Sequence, residues 1–312
     1  MYDIIAIGDT VTDAFIRLKE ATTNKEHSTL TLRFGDKVPY ESVEEVVAVG
    51  NSANAAVSAA RLGLKTALVS NLGADEHGRK AKEYLGGQNV ALDFIAQHEG
   101  MKTNYHYVLW FEEDRTILVK HEDYPYQFPN ISPTKWIYVS SLAQGTLEYH
   151  QAIAQYLKAH PEVKCAFQPG TFQLKFGVEK LKDLYTRTEI FFCNVQEAEI
   201  VLDINTLGVE ELLKRIHALG PKIVVITDGP KGAYAYDGEK MYQQAPYPDP
   251  KPPLDRTGAG DAFASTTVAA IALGKDLQTA LSWGAVNSMS VVQEVGAQKG
   301  LLKREELEKY LK

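Results

Sequence analysis

The chain has 312 residues, 45% of them hydrophobic, and a formal net charge of −7, enough to bury one large core or one core with a small accessory piece. The mild acidity and the lack of any Lys/Arg-rich run argue against a surface built to track a nucleic-acid backbone, so no nucleic-acid partner is expected. Cys165 and Cys193 each sit inside an apolar run, which fits a reduced cytoplasm and two inert core thiols better than a disulfide scaffold.

The opening Met1-Tyr2-Asp3-Ile4-Ile5-Ala6-Ile7-Gly8 has no basic leader, and its apolar run is too short for a signal peptide or a span. A first strand, and no membrane attachment, are expected. Similar β-branched runs recur at residues 3–8, 66–71, 136–140, 164–168, 190–193 and 222–227. Helically spaced apolar residues fill 53–62, 146–159, 210–219 and 261–273, and another apolar helix is read at 280–292. That alternation predicts an α/β fold with a doubly wound, mostly parallel sheet flanked by helices.

Residues 15–43 and 104–120 break the rhythm with strand-like runs at 29–34, 105–111 and 115–120, and predict a small sheet projecting as a lid. Tyr105, Tyr107 and Trp110 lie there, either closing over a ligand or packing the small sheet or a dimer contact. The Pro-rich stretch 246–253 is only one loop long, so residues 1–312 are expected to form a single domain with the lid segments inserted in it.

Near the C-terminus runs Asp255-Arg256-Thr257-Gly258-Ala259-Gly260-Asp261, directly before a helical segment. Small residues ahead of a helix leave N–H groups uncovered at its positive end, which makes an anion site. Asp261, in the first turn, either caps that helix or takes the proton of a substrate hydroxyl as it attacks a phosphoryl group. The chain has no G-x-x-x-x-G-K-[ST], and the turn lacks the third glycine of G-x-G-x-x-G, so P-loop and nicotinamide-dependent readings lose their support.

A second glycine-led turn, Gly50-Asn51-Ser52-Ala53-Asn54, opens an apolar helix that Gly63 closes. Asn51 and Asn54 stand one turn apart with amides suited to a polyol, or serve as caps. Asp13, expected just beyond the first strand at the carboxyl end of the sheet, can take two vicinal hydroxyls or cap a turn.

The Gly50-x-x-x-Asn54-x-Ala56 motif with Gly63 and Gly73, followed about two hundred residues later by Asp255-x-Thr257-Gly258-Ala259-Gly260-Asp261, resembles the two signatures of the ribokinase-like (PfkB) carbohydrate kinases over essentially the whole chain. The resemblance implies an ATP-dependent, Mg²⁺-requiring phosphotransferase acting on a small sugar or nucleoside, with a β lid and a cytoplasmic setting. It implies Asp13, Gly50, Asn51 and Asn54 on the acceptor, Gly258, Ala259 and Gly260 as the anion hole, and Asp261 as base. Asn194-x-x-Glu197 matches the family's N-x-x-E motif, with Glu197 holding Mg²⁺ through water; the same residues also read as a helix start. Thr227, Gly229 and Gly232 match the nucleotide loop, and Asn287 falls at a position near the adenine, unless it is satisfied internally. Asp255 with Val295-Gly296-Ala297 resembles a monovalent-cation (K⁺) site, and the lid implies a contact for a homodimer.

Departures from the pattern narrow the acceptor. Val49 and Ser52 replace common glycines, Asn51 stands where ribose kinases carry Lys, and Gln168-Pro169-Gly170-Thr171 replaces an Asp-x-Asn-x-Arg pattern. A neutral acceptor is expected over a phosphorylated one, with Tyr105 and Tyr107 offering a stacking face and Arg17, Arg33, Lys102 and Arg115 reading as solvated charges. A small-molecule-binding protein without turnover is the competing reading, and intact Asp261 and Glu197 weigh against it.

Overall fold

A computed structural model describes every residue except Lys25, His27, Ser28, Glu113, Pro133 and Lys312. Parallel strands β1 (Ile4–Ile7), β6 (Thr66–Gly73), β7 (Val90–Ala91), β11 (Trp136–Val139), β12 (Lys164–Phe167), β13 (Ile190–Asn194) and β14 (Ile223–Thr227) form the main sheet. An antiparallel pair, β15 (Ala233–Tyr236) and β16 (Met241–Gln244), extends one edge in the order β16-β15-β14-β13-β12-β11-β1-β6-β7. A short β8 (Ile95–His98) lies beside the end of β6.

Both faces of this sheet are apolar because successive side chains point to opposite sides and each side meets helices. Ile4, Ala6, Trp136, Tyr138 and Phe192 face a layer made by α1 (Asn51–Arg61), α2 (Glu76–Gly87), α8 (Ala259–Ala272), α9 (Leu277–Val291) and α10 (Arg304–Tyr310). Ile5, Ile7, Ile137, Val139, Phe167 and Phe191 face the layer of α3 (Leu147–Ala159), α4 (Thr171–Phe176), α5 (Lys182–Arg187), α6 (Val195–Leu202) and α7 (Val209–His217). Cys165 and Cys193 are free and buried in this second layer, and burial pushes the Cys165 thiol up to about 12, so neither is a ready thiolate. Among the described residues no helix is long and apolar enough to cross a membrane.

The separate small sheet has the order β10-β9-β2-β5, built from β2 (Val11–Leu18), β5 (Tyr40–Val49), β9 (Asn104–Phe111) and β10 (Asp114–Leu118). β3 (Thr22–Asn24) and β4 (Thr29–Thr31) form a hairpin of their own. The lid is therefore wider than 15–43 and 104–120: it starts at Val11 and its second strand runs to Val49. Parts of those segments at Lys25, His27, Ser28 and Glu113 lie outside the described residues.

Asp13 belongs to this sheet, within β2, rather than to a loop at the end of β1. After Ile7 the chain leaves the main sheet at Gly8-Asp9-Thr10, and the run from Val11 pairs with β5 and β9 instead. Register puts Asp13 opposite His106, Arg17 opposite Trp110 and Trp110 opposite Arg115, so these five share one face. Tyr105 and Tyr107 alternate onto the other face.

Candidate active site

Asp261 is the centre of the best-organised polar cluster. It stands in the first turn of α8, partly buried, and three amides donate to it: Asn51 Nδ2 at 2.9 Å and Gln168 Nε2 at 3.0 Å to Oδ1, and Asn54 Nδ2 at 2.7 Å to Oδ2. Two of these donors are themselves oriented. Gln298 Nε2 donates to Asn54 Oδ1 at 2.8 Å, and the Tyr138 hydroxyl donates to Gln168 Oε1 at 2.5 Å, so each amide turns its NH₂ toward the carboxylate. Burial pushes the Asp261 carboxyl above its ordinary range, and the three amides and the Arg115 charge pull it back without cancelling the rise.

Gly258 precedes α8 in the left-handed region, at φ 79°, and a Cβ there would sit 2.2 Å from that of Ala297. Only glycine fits this turn. It leaves the N–H groups of Gly258, Gly260 and Asp261 without hydrogen bonds among the described residues, at the positive end of a buried helix. Asp255 holds the turn from behind: its Oδ1 accepts from Thr257 N and Oγ1 at 2.9 and 2.7 Å, and its Oδ2 from Gly296 N at 2.9 Å. Three donors on one carboxylate make Asp255 a tie between two loops, which is not by itself a cation's ligand set.

Beside the turn opens a cavity of about 350 Å³ lined by Thr227, Gly229, Gly232, Gly260 and, on α9, Ala285 and Met289. Asn287 does not reach it. Its side chain is fully buried, donating to Thr266 Oγ1 at 2.7 Å and accepting from Leu302 N at 2.9 Å, so the internally satisfied reading is the one realised. Asn194, opposite Thr227 in the sheet, and Glu197 cap α6 reciprocally, each accepting from the other's backbone N–H at 2.8 Å. Glu197 Oε1 makes no hydrogen bond among the described residues, and burial raises its carboxyl, opposed by the Asn194 N–H and reinforced by the charge of Asp261. No described group of three His, Cys, Asp or Glu could hold a metal ion alone, so a cation here would need oxygens from a ligand or water.

On the lid face shared with Asp13, Arg115 lies near enough for its charge to act on Asp261 and lines a cavity together with Arg256. Arg115 is half-buried and pairs with the neighbouring Asp114 at 3.2 Å. Of the two tyrosines expected to offer a stacking face, Tyr105 donates to Glu45 and packs on His77, Tyr107 is half exposed, and both lie on the face opposite that of Asp13. Trp110 packs under the Arg17 guanidinium, 4.8 Å from its ring centroid.

The model of the pfkB family carbohydrate kinases matches residues 2–304. The chain belongs to this family. A relative named 5-dehydro-2-deoxygluconokinase from Bacillus subtilis is 28% identical over 282 residues, 84% of this chain and 86% of that protein. A nucleoside kinase from Methanocaldococcus jannaschii is 24% identical, with 81% of each chain covered. Arabidopsis thaliana ribokinase, solved with ribose and ATP, superposes with a TM-score of 0.84 at 22% identity, covering 100% of this chain and 99% of that one, a likeness of fold.

Within this pfkB kinase the structure brings together Asp261, Asn51, Asn54, Gly258, Ala259 and Gly260, with Gly50 at the N-cap of the helix that carries both asparagines. A Cβ on Gly50, at φ 111°, would meet the Asp9 carbonyl at 2.5 Å. Sequence reasoning assigned the amides of Asn51 and Asn54 to a ligand, whereas both donate to Asp261, and it missed Gln168, Tyr138 and Gln298. A polar residue ending the apolar run of β12 was the available signal for Gln168; nothing local marks the other two.

Proposed function

We propose that this pfkB kinase transfers the γ-phosphoryl group of ATP to a hydroxyl of a small sugar or nucleoside, with Asp261 as general base. The observation that carries the reading is position: the Asp261 carboxylate stands at a helix N-terminus with free N–H groups, between a nucleotide-sized cavity and the charged face of the lid. ATP with Mg²⁺ supplies the phosphoryl group and the cationic charge that transfer requires.

The chain's own residues divide the remaining work. Thr227, Gly229 and Gly232 line the cavity for the nucleotide, and the N–H groups of Gly258 and Gly260, with Ala259 between them, receive phosphoryl oxygens. Asp13 and the unengaged Oδ1 of Asn51 face the acceptor, with Gly50 letting Asn51 approach. Asp261 accepts the hydroxyl proton, helped by the burial that raises its proton affinity toward neutrality. Glu197 Oε1 orients the metal's water shell, since Mg²⁺ dehydrates reluctantly. Asp255 keeps one lone-pair direction open for a monovalent cation completed by backbone carbonyls, and swapping K⁺ for a large organic cation at matched ionic strength lowers the rate if it binds there.

The test is label transfer from radiolabelled ATP to D-ribose, D-fructose, 5-dehydro-2-deoxygluconate, cytidine and adenosine, with and without chelator. Metal-dependent labelling of at least one acceptor is expected. ATP binding without transfer to any of them would favour a non-catalytic role.

A further inference from the structure

Beneath the lid lie two aspartate–histidine pairs, of which the roles above use only Asp13. His106 on β9 faces Asp13 on β2, its Nδ1 3.4 Å from Asp13 Oδ1. From the floor, Asp9 follows β1 and its Oδ2 lies 3.1 Å from His121 Nδ1. The Tyr126 hydroxyl donates to Asp9 Oδ1 at 2.7 Å; burial and the Asp9 charge push that phenol's pKa up, so it stays a donor and holds the carboxylate in place. The two imidazole centroids are 5.3 Å apart, and the Phe172 ring lies 5.8 Å from that of His121.

Both carboxylates are deeply buried, Asp9 3% and Asp13 8% exposed. Yet Asp9 Oδ2, His121 Nδ1, Asp13 Oδ1 and His106 Nε2 are buried atoms without a well-formed hydrogen bond, each Asp–His contact being close but not aligned as one. Buried polar atoms are ordinarily satisfied, so this concentration in one place points to a ligand that completes them. The pairs adjoin the Asp261 cluster: the Asp9 carbonyl touches Gly50, beside Asn51, and Phe172 follows Gln168 by four residues.

We infer that the two pairs form the distal acceptor subsite, with His106 and His121 as specificity-determining residues for an uncharged polyol, a free sugar or the ribose of a nucleoside. The inference rests on the proposed kinase reading. An Nδ1–H turned to an aspartate leaves Nε2 as an acceptor, and with the aspartate oxygens this gives an end rich in acceptors that hydroxyl donors satisfy. A phosphate or carboxylate there would bring acceptors to acceptors, against two negative charges. The cations of the same lid face are engaged away from the pairs: Arg17 pairs with Glu41 and stacks on Trp110, and Arg115 pairs with Asp114 and shares a cavity with Arg256, which also lines the nucleotide cavity.

The test compares kcat/KM for D-ribose, cytidine, D-ribose 5-phosphate and fructose 6-phosphate in wild type, His106→Ala, His121→Ala and His121→Gln. Wild type should prefer the uncharged acceptors more than tenfold. Each alanine variant should raise acceptor KM at least tenfold with ATP KM within twofold, and His121→Gln, which keeps an acceptor atom, should recover part of the loss. A preferred phosphorylated acceptor, or acceptor KM unmoved in both alanine variants, would overturn the subsite while leaving the kinase reading standing. If wild type phosphorylates none of the four, calorimetric binding of D-ribose and cytidine decides: binding lost in the alanine variants supports the subsite, and no binding to wild type overturns it.

Discussion

Around Asp261 two of the three donors are oriented by a second hydrogen bond, Tyr138 behind Gln168 and Gln298 behind Asn54, whereas under the lid Asp13 Oδ1 and His106 Nε2 have no well-formed hydrogen bond. The floor draws on α1, β11, β12, α8 and the loop after α9, all packed on the main sheet. The lid is a four-stranded sheet with Val43, Tyr107 and Leu118 about half exposed. A proton acceptor has to be held to within a fraction of an ångström of its reaction geometry, and rigid, doubly bonded side chains do that; groups that grip a ligand need to adapt as it arrives. The division of labour proposed above between base and acceptor contacts fits that contrast.

The largest effect should come from Asp261→Asn, which removes the proposed base and should lower kcat by about 10²–10⁴-fold. It also sets an NH₂ against the Asn54 NH₂, which Gln298 prevents from turning. The fold should survive, because a buried charge disappears at the same time. Since burial raises the Asp261 pKa in the folded state, wild type is favoured at acid pH and loses that contribution as pH rises through the raised value. The variant's stability relative to wild type should therefore increase over that interval, read by thermal melts from acid to neutral pH. Full wild-type kcat in the variant would remove Asp261 from the chemistry.

Next is Gly258→Ala, which forces a side chain into positive φ and against Ala297. Displacing the anion turn by even an ångström should cost about 10²-fold in kcat/KM, and strain of this kind lowers stability by roughly 1–3 kcal/mol. An alanine variant with normal kinetics would mean the N–H groups of the turn do not contact the transferred group.

A smaller effect tests the second bonds of the floor. Tyr138→Phe leaves Gln168 Oε1 without its donor, so the amide is free to rotate away from Asp261. Losing one of three donors raises the Asp261 pKa further, and because the base acts deprotonated, the acid limb of kcat/KM should move to higher pH, with kcat at neutral pH down roughly three- to tenfold. An unshifted limb would show that Gln168 holds its position without help.

The two regions differed equally in how well the sequence revealed them. Gly258, Gly260 and Asp261 are adjacent in the chain, and Asn51 and Asn54 share a helical turn, so local spacing was enough to place them. The alternation of β1, β6, β11, β12, β13 and β14 was legible because both faces are buried, which leaves continuous apolar runs. Strand β2 was hidden because the chain passes from β1 through only three residues, and β5 because its exposed Glu41, Glu44 and Glu45 mask an apolar pattern. Tyr138–Gln168 and Gln298–Asn54 depend on sheet register and on a contact spanning 244 residues, which no window of sequence contains.

The smallest predicted effect separates the two faces of the lid. Period-two alternation puts Tyr105 and Tyr107 together, and it equally well put either that face or the face of His106 over the site; the contacts of His106 with Asp13 and with His121, which pairs with Asp9 just after β1, turn the His106 face inward. Tyr107→Ala removes a half-exposed ring whose one aromatic neighbour among the described residues is Tyr105. It should leave acceptor KM within twofold and change stability by no more than about 0.5 kcal/mol, as surface substitutions usually do. The same outer face carries Val43 and Leu118, so the homodimer expected from the lid would bury it, and sedimentation of wild type and Tyr107→Arg reads that directly. A lower mass in the arginine variant with KM intact assigns the outer face to association. A tenfold rise in acceptor KM in Tyr107→Ala, with mass unchanged, would instead turn the lid over and place the tyrosines against the substrate.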